Sequence, residues 1–196
     1  KASGHWGIKG SGEGELDGPS GLAFDSEGNL LVADGNNHRI QKFTSQGDHL
    51  VSFGEFGTGN SQLNHPWGIT VDSHDNIYVA DWRNDRVQKF DCRGRFLLAI
   101  GSSGTGRGQL DRPTGVAVDH DGDVYVTDWL NHRVQVFDKS GEYLLQMGGS
   151  AIELSKWQKR FVEASPDMVK ARRRVETLDP ETRFALPTCV RFDTRR

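Results

Sequence analysis

One spacing constrains this chain more than any single residue. Gly7, Gly54, Gly101 and Gly148 stand 47 residues apart, as do Pro19, Pro66 and Pro113, then Asp25, Asp72 and Asp119, then Phe43, Phe90 and Phe137. The best-matched windows are ADGNNHRIQKF (33–43), ADWRNDRVQKF (80–90) and TDWLNHRVQVF (127–137). A period in this range belongs to solenoids, propellers and other arrays, because so small a unit cannot bury its apolar face until a neighbour stacks on it. The repeat therefore speaks for architecture and does not name a ligand.

Each copy divides into four short strands. In the second they are GITVD (68–72), IYVAD (77–81), RVQKF (86–90) and RFLLAIG (95–101), separated by SHDN, WRND and DCRG. Short runs rich in Val, Ile, Tyr and Phe, bounded by Asp, Asn and Gly, are strand signals. Asp and Asn bond back to nearby backbone, and Gly accepts positive φ. Composition agrees: 35% hydrophobic residues and 24 glycines suit strands and turns better than a helical bundle. Four-stranded units with short antiparallel connections suit β-propeller blades. A flat meander or a sandwich is the alternative, and the strict period speaks against it. The expected fold is all-β, with three full blades at 19–65, 66–112 and 113–149. Residues 1–18 read as the last strand of a preceding blade and its outgoing loop.

The pattern changes after Gly149. Pro187 follows Pro113 by 74 residues, so 27 are inserted relative to the period. Residues 150–186 are expected as a helical insertion, with helices near 153–164 and 166–177. Ser155 and Gln158 have capping-box spacing, and Ile152, Trp157 and Phe161 form an apolar stripe. Ser165 is placed as an N-cap, with Pro166 at the first helical position and Asp167 at the positive end of the helix. PTCVRFD (187–193) then repeats PTGVAVD, so 187–196 is expected to open a further blade.

The succession P-x-G-hydrophobic-x-hydrophobic-D, then YVAD, then NHRVQVF, then a Gly-rich stretch resembles the NHL repeat. The naming motif reads here as Asn37-His38-Arg39, Asn84-Asp85-Arg86 and Asn131-His132-Arg133. The resemblance covers residues 1–149 and resumes at 187–193. It implies a propeller of usually about six blades, so this chain corresponds to about half a ring. Either the natural protein is longer or copies assemble to close the ring, since uncovered blade faces and edges are poorly tolerated. Similar helical insertions occur in some bacterial proteins of this type. The family hosts many functions, so function has to be argued from the site.

Several classes are disfavoured. The net charge of −3 does not by itself argue for nucleic acid or a membrane. No run approaches the ~18 apolar residues that cross a bilayer, and KASGHWGIKG has no signal-peptide core. The chain opens inside a repeat without an initiating Met, so the natural start is expected upstream. Cys92 and Cys189 occupy non-equivalent positions, the latter where other repeats have Gly21, Gly68 and Gly115, and make no disulfide framework. No His or Cys spacing suggests a metal site, and no cofactor is expected. GSSGTG and GTGNS open no helix, which disfavours both phosphate cradling and a nucleophile elbow.

Meander geometry puts the inter-blade loops and the loops between second and third strands on one face. That face is expected to carry 54–66, 102–113 and the turns at Trp82 and Trp129, and loops on a rigid scaffold commonly carry function. The candidate ligand-binding residues are His65, Trp67, Trp82, Arg83, Arg112 and Trp129. Trp82 and Trp129 are repeat-equivalent, where the first copy has Gly35; they read either as packing between blades or as stacking platforms. Trp67 is repeat-specific, standing where other copies have Ser20 and Thr114. Asp34, Asp81 and Asp128 are expected to hold the following turn or to pair with Arg39, Arg86 and Arg133. Asp25, Asp72 and Asp119 are expected to hold the next turn.

Charge is uneven. Residues 148–196 carry 11 Lys and Arg against 7 Asp and Glu; residues 1–147 carry 13 against 20. The densest basic run, Lys170, Arg172, Arg173 and Arg174, reads as a solvated helix face or as a contact for RNA or an acidic partner. The expected function is a non-enzymatic scaffold that binds a protein or other ligand through its loop face, with self-association by ring closure as a further expectation. The alternative, implied by the resemblance, is a metal-dependent lyase or lactonase-like enzyme using the central channel. Single-stranded RNA binding comes third, against the acidity of the blades.

Overall fold

A computed structural model describes residues 7–148 of the chain. The expected helices of 150–186, the strand expected at 187–196 and residues 1–6 lie outside the described residues.

Three four-stranded antiparallel sheets follow one another along the chain, each in simple meander order. The first comprises Pro19–Phe24, Leu30–Asp34, Arg39–Phe43 and His49–Phe53. The second comprises Pro66–Val71, Ile77–Asp81, Arg86–Phe90 and Phe96–Ile100. The third comprises Pro113–Val118, Val124–Asp128, Arg133–Phe137 and Tyr143–Met147. Each sheet has the form of a propeller blade. Within a blade the second and third strands pair in unbroken register, for example Ile77 with Phe90 and Asp81 with Arg86. Two short parallel bridges, Glu55–Phe56 with Gln62–Leu63 and Ser102–Ser103 with Gln109–Leu110, close the Gly-rich loops between blades.

The hairpin turns explain themselves. At each first-strand exit an Asp side chain accepts the N–H groups two and four residues on: Asp25 from Glu27 and Asn29, Asp72 from His74 and Asn76, Asp119 from Asp121 and Asp123. The expected turn-holding role of these three residues is therefore observed. Asp91 and Asp138 repeat the device at the third-strand exits.

The core lies between blades. Leu31, Ala33 and Ile40 of the first blade meet Leu63, Ile69, Ile77, Val79 and Phe90 at the second. Tyr78, Val87 and Ile100 of the second meet Leu110, Val116, Val124, Val126 and Phe137 at the third. Strand alternation does this: in IYVAD, Ile77 and Val79 face back to the first blade and Tyr78 faces forward to the third. Each Ile or Leu fully buried in this way contributes about 1.5–3 kcal/mol, and none of it is available to an isolated repeat.

The first strands pack side by side, and glycine permits it. Ser20 Oγ donates to Pro66 O at 2.9 Å across the first joint. A Cβ built on Gly68 would sit 2.4 Å from Thr114 O and 2.9 Å from the Gly115 Cα.

Candidate functional site

The repeat motif builds the platform. Asp81 ends the second strand of its blade and is fully buried. Its Oδ1 accepts the Asn64 N–H at 2.7 Å, and its Oδ2 accepts Asn84 Nδ2 at 2.9 Å, Arg86 Nε at 2.9 Å and Gln88 Nε2 at 3.1 Å. The other ends of these side chains reach the Gly-rich loop just upstream. Asn84 donates to Gly57 O at 2.8 Å, and Arg86 donates to Gly59 O at 2.7 Å and Gln62 O at 2.9 Å. Gln88 donates to Gln62 O at 2.6 Å and accepts from the Ser61 N–H. Asp34-Asn37-Arg39-Gln41 and Asp128-Asn131-Arg133-Gln135 repeat the arrangement on residues 10–17 and 104–111. The expected Asp–Arg pairing is present at all three positions. The backbone these carboxylates hold belongs to the preceding loop, at Asp17, Asn64 and Asp111, rather than to the turn that follows. Sequence could not separate the two, because the held residue is 17 positions away.

That clamp sets the face. Arg83 N–H bonds Asn64 O at 3.0 Å and Leu130 N–H bonds Asp111 O at 3.1 Å, so the turn after each second strand lies against the inter-blade loop. The six candidate residues converge there. The Trp67 and Trp82 ring centroids lie 5.6 Å apart, those of Trp82 and Trp129 6.4 Å, and those of His65 and Trp82 5.4 Å. The guanidinium carbons of Arg112 and Arg83 stand 4.8 and 5.4 Å from the Trp82 ring centre, within cation–π range. Trp67 is 39% exposed, whereas Trp82 and Trp129 are half-buried. Among the described residues the Trp82 indole N–H meets no acceptor. His65 and Arg112 sit at equivalent loop positions with φ of 59° and 55°, a left-handed conformation that non-glycine residues adopt at some cost in strain.

Two residues outside the expected set extend the strip. The His38 ring packs on Phe56 at 4.8 Å and lies 6.4 Å from His65. Phe56 is exposed and repeat-specific, standing where the next copy has Ser103, which is the signal that singled out Trp67. Burial, then the Arg83 guanidinium, hold the His38 imidazolium below its ordinary range against the pull of Asp81. Burial, Arg83 and His38 do the same to His65. Both imidazoles thus favour the neutral form, and the positive charge over the Trp82 ring is that of Arg83 and Arg112. Lys170, Arg172, Arg173 and Arg174 lie outside the described residues. Among the described residues no group of three or more His, Cys, Asp or Glu is arranged to hold a metal ion, and no helix is long and apolar enough to cross a membrane.

Residues 16–43, 63–90 and 110–137 match the family model of the NHL repeat. The chain carries three NHL repeats. Each matched segment runs from the end of a Gly-rich loop to the end of a third strand, and so contains the Asp-Asn-Arg-Gln clamp and the backbone N–H that its carboxylate holds, at Asp17, Asn64 or Asp111. Protein brain tumor of Drosophila melanogaster is 46% identical over 43 residues, 22% of this chain and 4% of that protein. The B-box type zinc finger protein ncl-1 of Caenorhabditis elegans is 51% identical over 35 residues, 18% of this chain and 4% of that protein. The NHL chain thus spans a small fraction of the relatives it matches. Among solved structures, a streptogramin B lyase superposes with a TM-score of 0.53 at 17% identity, covering 66% of this chain and 40% of the lyase. The Kuenenia stuttgartiensis hydrazine synthase superposes with a TM-score of 0.56 at 18% identity, over 73% of this chain and 39% of that one. At these identities the likeness shows the fold alone.

Proposed function

We propose that this NHL-repeat chain is a non-enzymatic scaffold that binds a protein partner through the loop face at His65, Trp67, Trp82, Arg83, Arg112 and Trp129. The observation that supports it is the convergence of three Trp rings and two Arg side chains on clamped loops and turns and on the strand start at Trp67. Trp and Arg are the residues that dominate protein interface hot spots, and preorganised loops lose little freedom on binding. The acidity of the blades favours a protein over a polyanionic strand, which needs a track of cations. The basic run Lys170, Arg172, Arg173 and Arg174 supplies a second contact, for an acidic part of the same partner. Leu22 and Phe24 on the first blade, exposed among the described residues, support self-association as a further property.

The test uses the immobilised full chain to capture partners, which are identified, prepared pure and titrated calorimetrically. Trp67→Ala and Arg112→Ala are each expected to weaken binding by about tenfold or more, about 1.4 kcal/mol, with the melting temperature nearly unchanged. Affinity equal to that of the parent in both variants would sink the loop-face reading.

A further inference from the structure

The two joints between the described blades each carry, among their contacts, a hydrogen bond at the same position of the repeat. At the second joint the Asp85 Oδ1 accepts the Arg112 N–H at 2.9 Å. At the first, the acceptor of the His65 N–H, at 3.0 Å, is the Nδ1 of His38. The two acceptors differ in one respect. A carboxylate keeps its lone pairs down to about pH 4, whereas imidazole takes up a proton near pH 6.5. His38 accepts only as the neutral tautomer with its hydrogen on Nε2. Protonated at Nδ1, it would aim a donor at a donor.

We propose that the joint between the first two blades is an acid-sensitive latch: protonation of His38 removes the acceptor for the His65 N–H and loosens the end of the inter-blade loop at His65, which leads into the strand that begins Pro66-Trp67, while the Asp85 latch holds.

The surroundings fit a switch rather than a fixed contact. His38 faces Phe56 and His65 from the inter-blade loop, and Arg83 and Asp81 from the second blade. On its own strand and turn, Asp34, Asn37 and Arg39 are tied to one another. Asp81 is already engaged by Asn64, Asn84, Arg86 and Gln88, so it is poorly placed to neutralise a new imidazolium, and Arg83 opposes one. The sign follows from the neutral form being favoured in the fold. The contribution of His38 and His65 is complete above about pH 6.5, the unfolded value, and is lost as pH falls through it toward the depressed folded value. Coupling of the latch to partner binding rests on the loop-face reading. The latch itself does not.

The experiment is a titration of the ¹⁵N-labelled full chain from pH 8 to 5, without any partner. It follows the His38 imidazole and the His65 amide in the parent, in His38→Asn and in His38→Asp. Asn keeps an acceptor oxygen that does not titrate in this range, and Asp copies the second joint; both tolerate the left-handed backbone at this position, φ 56°. In the parent the His65 amide is expected to move upfield with the His38 midpoint. Its exchange, corrected for intrinsic rate, is expected to quicken about tenfold or more. In at least one variant both changes are expected to vanish. An amide that does not respond in the parent, or that responds equally in both variants, overturns the latch. A latch that titrates while partner affinity stays constant with pH would instead count against the loop-face reading alone.

Discussion

At the scale of single residues, the three fully buried aspartates of the repeat motif decide most. Asp81 takes four bonds and is the only negative charge among the groups that engage it, one of which is the Arg86 guanidinium. Asp81→Asn keeps the shape but leaves Arg86 (side chain 13% exposed) without its counter-ion and turns a donor on some of the groups that need an acceptor. A loss of about 3–5 kcal/mol is expected, read as the urea midpoint at unchanged slope. Arg95, paired with Asp91 but with a side chain 75% exposed, provides the contrast. Arg95→Ala is expected to cost about 1 kcal/mol or less. The Asp–Arg pairing was legible from a five-residue spacing in one strand pair. The partners of Asp81 in the loop were not, because a linear pattern does not say which distant carbonyl a side chain will meet.

At the scale of elements, the strands sit within two residues of where alternation and turn chemistry put them. What the pattern could not convey is how closely first strands approach one another. Gly21, Gly68 and Gly115 recur at the period, and Gly68 lies against the backbone at Thr114. Gly68→Ala would drive a Cβ to 2.4 Å from the Thr114 carbonyl, a backbone group that cannot swing aside. A cost of about 2–3 kcal/mol is expected. Gly28 lies in an open hairpin turn at φ 79°, with no atom within 4 Å of the place an added methyl would take. Gly28→Ala is expected to cost about 1 kcal/mol, from backbone strain alone. Thermal melts of the two variants side by side check the ordering; equal losses would mean that backbone conformation, not inter-blade contact, sets the glycine requirement.

At the scale of the molecule, each joint is made by the forward face of one blade and the rear face of the next. The rear face of the first blade has no such neighbour among the described residues. Leu22 and Phe24 are 64% and 66% exposed, whereas Ile69, the repeat equivalent of Leu22, is 8% exposed. Leu16, Leu30 and Val32 join Leu22 around a shallow groove there. An apolar face that is core in two blades and open in a third is a candidate for association. Light scattering is expected to show concentration-dependent self-association of the parent chain. Leu22→Glu with Phe24→Glu is expected to abolish it without lowering stability by more than about 1 kcal/mol, since exposed positions contribute little. A parent chain that stays monomeric at all concentrations would mean that this face is not used between copies.

The sequence by itself determined the repeat, the four strands of each blade, the Asp-held turns and the face on which the candidate residues would fall. These are local or periodic properties: alternation, turn chemistry and a spacing of 47 are written along the chain and survive without knowledge of distant contacts. Tertiary structure decided the rest. It set which loop each motif clamps, how Trp67, Trp82 and Trp129 meet, that Phe56 and His38 join them, and that one joint is latched by an imidazole and the next by a carboxylate. Those facts depend on residues 15 to 47 positions apart being brought within hydrogen-bond or ring-contact distance. Closure of one blade on the next makes those contacts, and no single repeat encodes them.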